Sequence, residues 1–392
     1  MKRILLVDDD ATVLEIYRQR FVREGFQVET AADGLAAARI FREVKPNLVV
    51  LDLMMPKLSG VEVLKFIRSQ PDQQSTPVVI FTNSFMNELA DAANGMGIQK
   101  AVSKSDCTPT MLVTIANELI TGTTGAPAAS QPSPPPTAGA EPADTYDTSV
   151  KVRQHFLDHA PETLSALRTL YQEFSQSPDP AEALQKLERF YRKAHFVASV
   201  AGLAECHRIA LLSSVFEALL FELQEKPAHI DPSVLHTIGR TVDFLEVLFD
   251  NARDKSAEER ITGRVLVVDD DPLSNFLVVA ALRRARLEAR AADNPLIGLE
   301  LLRQNSYDLV LLDIEMPHMS GFDLCRKLRT LPGYARTPVI YVTAHSDFES
   351  RSIGVISGGN DLIAKPVFPL ELAVKSVTHL IKSRLPTTAA GQ

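Results

Sequence analysis

Short, uninterrupted apolar runs alternate with amphipathic stretches at both ends of the chain, and a long helical pattern fills the middle. Leu48 to Leu51 and Val78 to Phe81, then Leu309 to Leu312 and Val339 to Val342, are apolar blocks without polar alternation. Strands apolar on both faces belong in parallel sheets covered by helices on two sides. Each end of the chain is therefore expected to be an α/β domain. From about Ser149 to Arg253 apolar positions recur at helical spacing, as in Phe156, Leu164, Leu167 and Leu170, then Leu184, Leu187, Phe190 and Tyr191. This predicts a helical bundle. Between Thr123 and Asp147 proline, alanine, serine and threonine dominate and no apolar period survives, which predicts an extended tether. The boundaries expected are 1–122, a linker over 123–148, a bundle over 149–255, a second α/β domain over 263–385 and a short tail over 386–392. With no proline-rich spacer before it, the second α/β domain is expected to dock on the bundle, leaving the first free on its tether.

The two α/β regions are copies. RILLVDDD near the start returns as RVLVVDDD from Arg264, and one offset of 261 relates Asp9 to Asp270, Asp52 to Asp313, Thr82 to Thr343 and Lys104 to Lys365. A constant offset over about a hundred residues implies one fold used twice.

Composition narrows the function. Hydrophobic content of 45% and charged content of 23% are ordinary globular values, which excludes wholesale disorder. A net charge of -8 and a pI near 5.7 argue against a broad nucleic-acid footprint. Cys107, Cys206 and Cys325 lack paired spacing, so neither a disulfide framework nor a zinc site is indicated, and reduced thiols in the cytoplasm are expected. The start of the chain reads as a strand rather than a leader, and no stretch reaches the roughly 18 apolar residues of a membrane span.

The chemistry sits at the predicted strand ends. In open parallel sheets functional groups gather at the carboxyl ends of the strands. Asp8 and Asp9 end the first strand, Asp52 the third, Thr82 the fourth and Lys104 the fifth. Three crowded carboxylates repel unless a divalent cation neutralises them, and oxygen ligands with room for water suit Mg²⁺. One carboxylate can then attack a phosphoryl group whose equatorial oxygens a hydroxyl and an ammonium stabilise.

These segments, VDDD, LDLMMPKLSG, FTN and SK in the first copy and VDDD, LDIEMPHMSG, VTA and AKP in the second, closely resemble the receiver family of two-component response regulators. The resemblance implies two flavodoxin-like domains, each a doubly wound parallel five-stranded sheet, around a central all-α bundle. It also implies that Asp52 and Asp313 are phosphoacceptors, that Asp9 and Asp270 ligate Mg²⁺ directly, and that Asp8 and Asp269 support it through water. Thr82, Thr343, Lys104 and Lys365 would contact phosphoryl oxygens. The copies differ in two family positions: Ala344 and Pro366 fit the pattern, whereas Asn83 and Ser105 depart from it. A cis Lys365–Pro366 peptide and a trans Lys104–Ser105 peptide are expected, with a displaced Lys104 ammonium. Ala101 and Leu362 stand where many members carry a switching aromatic residue.

Within the bundle, FYRKAHFVASVAGLAECHRIALLSSVFEALL resembles the acceptor helix of histidine phosphotransfer domains, with His195 at the acceptor position and Gly202 seven residues on. An exposed imidazole there would suit relay. Ala198 and Ser199 replace the cation or small polar residue and the glycine usual after this histidine, and a side chain at Ser199 is expected to hinder docking. His155 and His159 lie four apart with no third ligand evident, so solvated surface histidines are expected rather than a metal pair.

The leading expectation is a phosphorelay protein that accepts phosphoryl groups on Asp313 and Asp52 and relays them through His195. The rival is a signalling adaptor whose phosphorylation controls partner binding or dimerisation, with a degenerate docking bundle. No glycine-rich nucleotide site accompanies the motifs, so autonomous ATP-dependent kinase activity is not expected. Expected partners are a histidine kinase or other phosphodonor and a downstream receiver or histidine phosphotransfer protein, with no nucleic acid or membrane. A homodimer rests on family analogy alone.

Overall fold

The computed structural model describes residues 2–55, 58–82, 93, 95–104, 107–121, 143–254, 261–343 and 358–385, with the backbone alone over 143–149. Most of the predicted tether, the tail, and Asn83, Ser105 and Ala344 lie outside these residues. The chain forms two compact units, Met1–Ala160 with His195–Ala210, and Pro161–Ala194 with Leu211–Gln392.

The first unit begins with β1 (Arg3–Val7), α1 (Ala11–Arg23), β2 (Gln27–Ala31), α2 (Gly34–Val44), β3 (Leu48–Leu51), α3 (Gly60–Arg68), β4 (Val78–Thr82), β5 (Lys100–Ser103) and α4 (Pro109–Thr121). The strands lie parallel in the order β2-β1-β3-β4-β5. Leu48–Leu51 and Val78–Thr82 are buried throughout, which explains their unbroken apolar pattern. One core cluster joins Val13, Tyr17 and Phe21 of α1 to Leu112 and Ala116 of α4, and a second gathers Phe41, Leu64 and Ile67 on the other face. Polar caps place the helices: Asp10 accepts from Thr12 and Val13 N–H, and Ser59 forms a capping box with Glu62.

The bundle helices are α5 (Ala143–Asp158), α6 (Ala160–Ser175), α7 (Pro180–Leu203), α8 (His207–Glu225) and α9 (Pro232–Asn251). Helix α5 starts at Ala143, within the stretch expected to be linker, because the polar run from Asp144 to Asp147 carries no helix breaker. In the first unit, Arg153 of α5 donates to the Ala204 and Glu205 carbonyls where α7 ends, satisfying orphan acceptors of that helix terminus. In the second unit, Phe190 and Phe216 pack edge to face at 5.6 Å, and the Tyr171 hydroxyl donates to the Leu235 carbonyl.

The second unit continues with β6 (Arg264–Val268), α10 (Pro272–Arg284), β7 (Glu288–Ala292), α11 (Pro295–Gln304), β8 (Leu309–Asp313), α12 (Gly321–Thr330), β9 (Val339–Thr343), β10 (Asp361–Ala364) and α13 (Pro369–Ser383). Its parallel strands run β10-β9-β8-β6-β7, the order of the first sheet read from the other edge. Glu371 of α13 is buried and accepts from the hydroxyls of Ser233 and Thr237 on α9 at 2.7 and 2.8 Å, so this sheet domain and its bundle helix are joined as expected.

Candidate functional site

At the carboxyl end of the first sheet, Asp8 follows β1 and Asp52 follows β3, both buried. The Lys104 ammonium lies 2.8 Å from Asp8 Oδ2 and 2.5 Å from Asp52 Oδ2. Asp52 Oδ1 accepts from the Met54 N–H. Burial pushes the Asp8 carboxyl up to about 7, against the attraction of Lys104 and with the repulsion of Asp52. At Asp52 burial acts in the same upward sense, but Lys104 and His195 outweigh it and hold the carboxyl below the ordinary range. Asp52 thus favours its ionised form although its own side chain is fully buried.

The second copy repeats this arrangement at offset 261. Lys365 Nζ lies 3.0 Å from Asp269 Oδ2 and 2.9 Å from Asp313 Oδ2, and Asp313 Oδ1 accepts from the Glu315 N–H. Burial raises the Asp313 carboxyl, with Lys365 opposing it. Thr82 and Thr343 end β4 and β9, both buried, beside these groups. The Lys365–Pro366 peptide is cis, as expected. The expected displacement of Lys104 is not found. Its backbone N–H donates to the Thr82 carbonyl just as Lys365 donates to Thr343, so the shared strand register carries both ammoniums to the same partners despite Ser105.

Among the described residues, two groups bring metal-ligating atoms within 4.8 Å of one another: Asp9, Asp52 and His195, and Asp269, Asp270 and Asp313. Asp9 Oδ1 and Thr82 Oγ1 are buried and have no hydrogen-bond partner among the described residues. Buried oxygens left unsatisfied beside two carboxylates suit an oxygen-ligated divalent cation and a phosphoryl group. His155 and His159 stack at 4.2 Å, and His159 Nδ1 contacts the His155 carbonyl, so this pair reads as helix surface.

His195 departs from expectation in two ways. It is only 6% exposed, and it belongs with the first sheet domain, the one expected to be free. Its Nε2 lies 3.8 Å from Asp9 Oδ1 and 3.9 Å from Asp52 Oδ2. The reason is packing: Leu203, two turns along α7, joins the core cluster of Val13, Phe21 and Leu112, with Ile16 and Val152 against it. Ser199 is itself buried and does not keep the imidazole from Asp52, which corrects the expectation drawn from the missing glycine.

The family model described as the response regulator receiver domain matches residues 4–116 and 265–376, together more than half of the chain. The chain belongs to the response regulator receiver family. An uncharacterized 14.6 kDa protein of Leptolyngbya boryana is 39% identical over 108 residues, covering 28% of this chain and 82% of the relative. The probable transcriptional regulator ycf27 of Cyanophora paradoxa is 41% identical over 95 residues, 24% of this chain and 38% of its own length. The DNA-binding response regulator MtrA of Mycolicibacterium smegmatis is 36% identical over 29% of this chain and 48% of the relative. The chain thus spans less than half of those two regulators. The Vibrio cholerae chemotaxis protein CheY4 is similar at 26% identity over 31% of this chain and 99% of that one, with a TM-score of 0.29. Receiver domains of this family place the chain in two-component signalling. No helix among the described residues is long and apolar enough to cross a membrane.

Two sets of site residues carry roles the motifs alone did not assign. Asp10 and Asp271, the third aspartate of each VDDD, cap α1 and α10, while their own N–H groups donate to Asp8 and Asp269. An aspartate just before an amphipathic stretch signals this in the sequence. Gly60 and Gly321 start α3 and α12 so close to the ends of β3 and β8 that a Cβ would lie 2.1 Å from the Asp52 or Asp313 carbonyl oxygen. Only glycine permits that approach.

Proposed function

We propose that this receiver protein runs an internal phosphorelay in which Asp52 and His195 exchange a phosphoryl group and Asp313 is a second acceptor. The observation that carries the reading is the 3.9 Å between His195 Nε2 and Asp52 Oδ2. A phosphorus atom bonded to one of these atoms lies within attacking reach of the other, and holding both in one unit replaces a collision with an intramolecular step. Mg²⁺ would be held by Asp9 and Asp52, and by Asp270 and Asp313, with Asp8 and Asp269 behind it, and would neutralise charge on the phosphoryl oxygens. Thr82 and Lys104, with Thr343 and Lys365 in the second copy, hold the remaining oxygens. Asp52 attacks as a carboxylate, which its lowered proton affinity favours. His195 takes the group as its Nε2–phosphorus bond forms and the Asp52 oxygen–phosphorus bond breaks.

The test is chemical. The chain carrying Asp313→Ala is incubated with acetyl phosphate and Mg²⁺, and the modified residues are mapped. Acid-labile, alkali-stable phosphate on His195 that disappears in Asp52→Ala supports the relay. Phosphate confined to Asp52 overturns it in favour of an adaptor whose bundle only covers the acceptor.

A further inference from the structure

The second unit has a cavity of about 240 Å³ between α9, the start of β10 and α13. Asp361 opens β10 whereas Asp313 closes β8, so in this parallel sheet the cavity lies at the end away from Asp313. His236 and Arg240 line it from α9, and Lys375, His379 and Lys382 from α13. Spacings of three and four keep each set on one helix face. Among the described residues a single carboxylate, that of Asp361, joins them.

The charges do not balance. Asp361 is already matched by His379 at 3.1 Å and Lys375 at 3.8 Å, and Lys375 also faces the buried Glu371 at 3.6 Å. Neither Arg240 nor Lys382 has a side-chain hydrogen bond or ion pair among the described residues, and Lys382 Nζ rests 4.8 Å from the centroid of the Phe244 ring. Partial desolvation first, and the repulsion of Arg240 second, push the Lys382 ammonium below its ordinary range, with Asp361 opposing them. Two cations that repel across a recess call for an anion. Asn360 adds a neutral donor: its Oδ1 accepts from the Val339 N–H, which leaves the amide nitrogen to donate at the cavity wall.

The receiver fold does not require this basic set. At offset 261 the first copy has Thr114, Glu118 and Thr121 where the second has Lys375, His379 and Lys382, and its last helix forms all the same.

We infer that this cavity binds a phosphate dianion, free or as the monoester of a small hydroxylated molecule, held between Arg240 of α9 and Lys382 of α13. The guanidinium offers paired N–H donors that match phosphate oxygens, the ammonium a compact charge, and the Asn360 amide a further donor. Asp361 is placed to accept from a hydroxyl of an esterified body. Cavities for drug-sized ligands start at about 300 Å³, so this smaller one suits an anion no larger than a sugar phosphate. The bound anion bridges the bundle helix and the receiver and so stabilises the second unit.

The full chain is titrated calorimetrically with inorganic phosphate and, separately, with ribose 5-phosphate. Ionic strength is held constant and Mg²⁺ is left out, so that the carboxylate sites take no part. We expect saturable binding that Arg240→Gln and Lys382→Gln, each alone, weaken by about tenfold or more. Arg303→Gln, which removes an exposed cation on α11, should leave the affinity unchanged. Neither substituted position in the cavity carries a hydrogen bond or ion pair, so thermal melts without ligand should match the parent. Tighter binding of ribose 5-phosphate assigns the site to a monoester, and equal or weaker binding assigns it to free phosphate. Failure of both anions to bind overturns the inference. So does binding that the two cavity substitutions leave unchanged, or that Arg303→Gln weakens equally.

Discussion

His195 Nε2 lies 3.9 Å from Oδ2 of Asp52, whose side chain is fully buried. In the proposed relay, an imidazole in that position serves Asp52 while shielding it from other phosphodonors. Replacing His195 with alanine is expected to speed labelling of Asp52 by acetyl phosphate about fivefold, equivalent to ~1 kcal/mol of barrier. Initial rates in the Asp313→Ala chain measure this. A slower rate would show that the histidine positions the site rather than covering it.

The site around Asp313 is the more open of the two. The Lys365 side chain is 26% exposed where Lys104 is 2%. In the full chain, acetyl phosphate should label Asp313 about tenfold faster than Asp52, a difference of ~1.4 kcal/mol. Mass mapping over time gives both rates, and Asp313→Asn should remove the fast phase entirely.

Glu371 is buried with two hydroxyl donors from α9 and with Lys375 3.6 Å away. Glu371→Ala leaves those donors without their acceptor, which costs about 2–3 kcal/mol. Urea unfolding should show the unfolding free energy of the second unit falling by that amount. A change within error would mean water replaces the carboxylate without loss.

Asp361 gives a pH test away from the acceptors. Burial raises its carboxyl, but His379 at 3.1 Å and Lys375 outweigh this and hold it down to about 2. A folded-state value below the unfolded one, near 3.9, contributes stability above about pH 4 that is lost as pH falls toward 2. Discounted for partial exposure, the contribution is about 1–2 kcal/mol. Thermal melts of Asp361→Asn should therefore differ from the parent at neutral pH and converge with it near pH 2.

Much of this was legible from residue order. The offset of 261 identified both sheets and aligned Asp52 with Asp313 and Lys104 with Lys365, because strand ends set those positions locally. The link from α9 to the second receiver followed from the missing spacer. The seat of His195 did not follow, since it depends on two surfaces meeting. Ile16 and Leu203 occupy ordinary amphipathic positions, and nothing in their spacing says that they pack together. Gly60 and Gly321 stood in plain sight within the motifs, yet the 2.1 Å approach that requires them is a distance no pattern encodes.

The hydroxyl grip on Glu371 has a mechanical consequence. Ser233 and Thr237 stand one turn apart on α9 and clasp a single carboxylate, so α9 cannot slide or roll against α13 without breaking one bond before the other. The two helices act as a lever with a fixed fulcrum. A movement of α13 that keeps both bonds therefore carries α9 with it as one body.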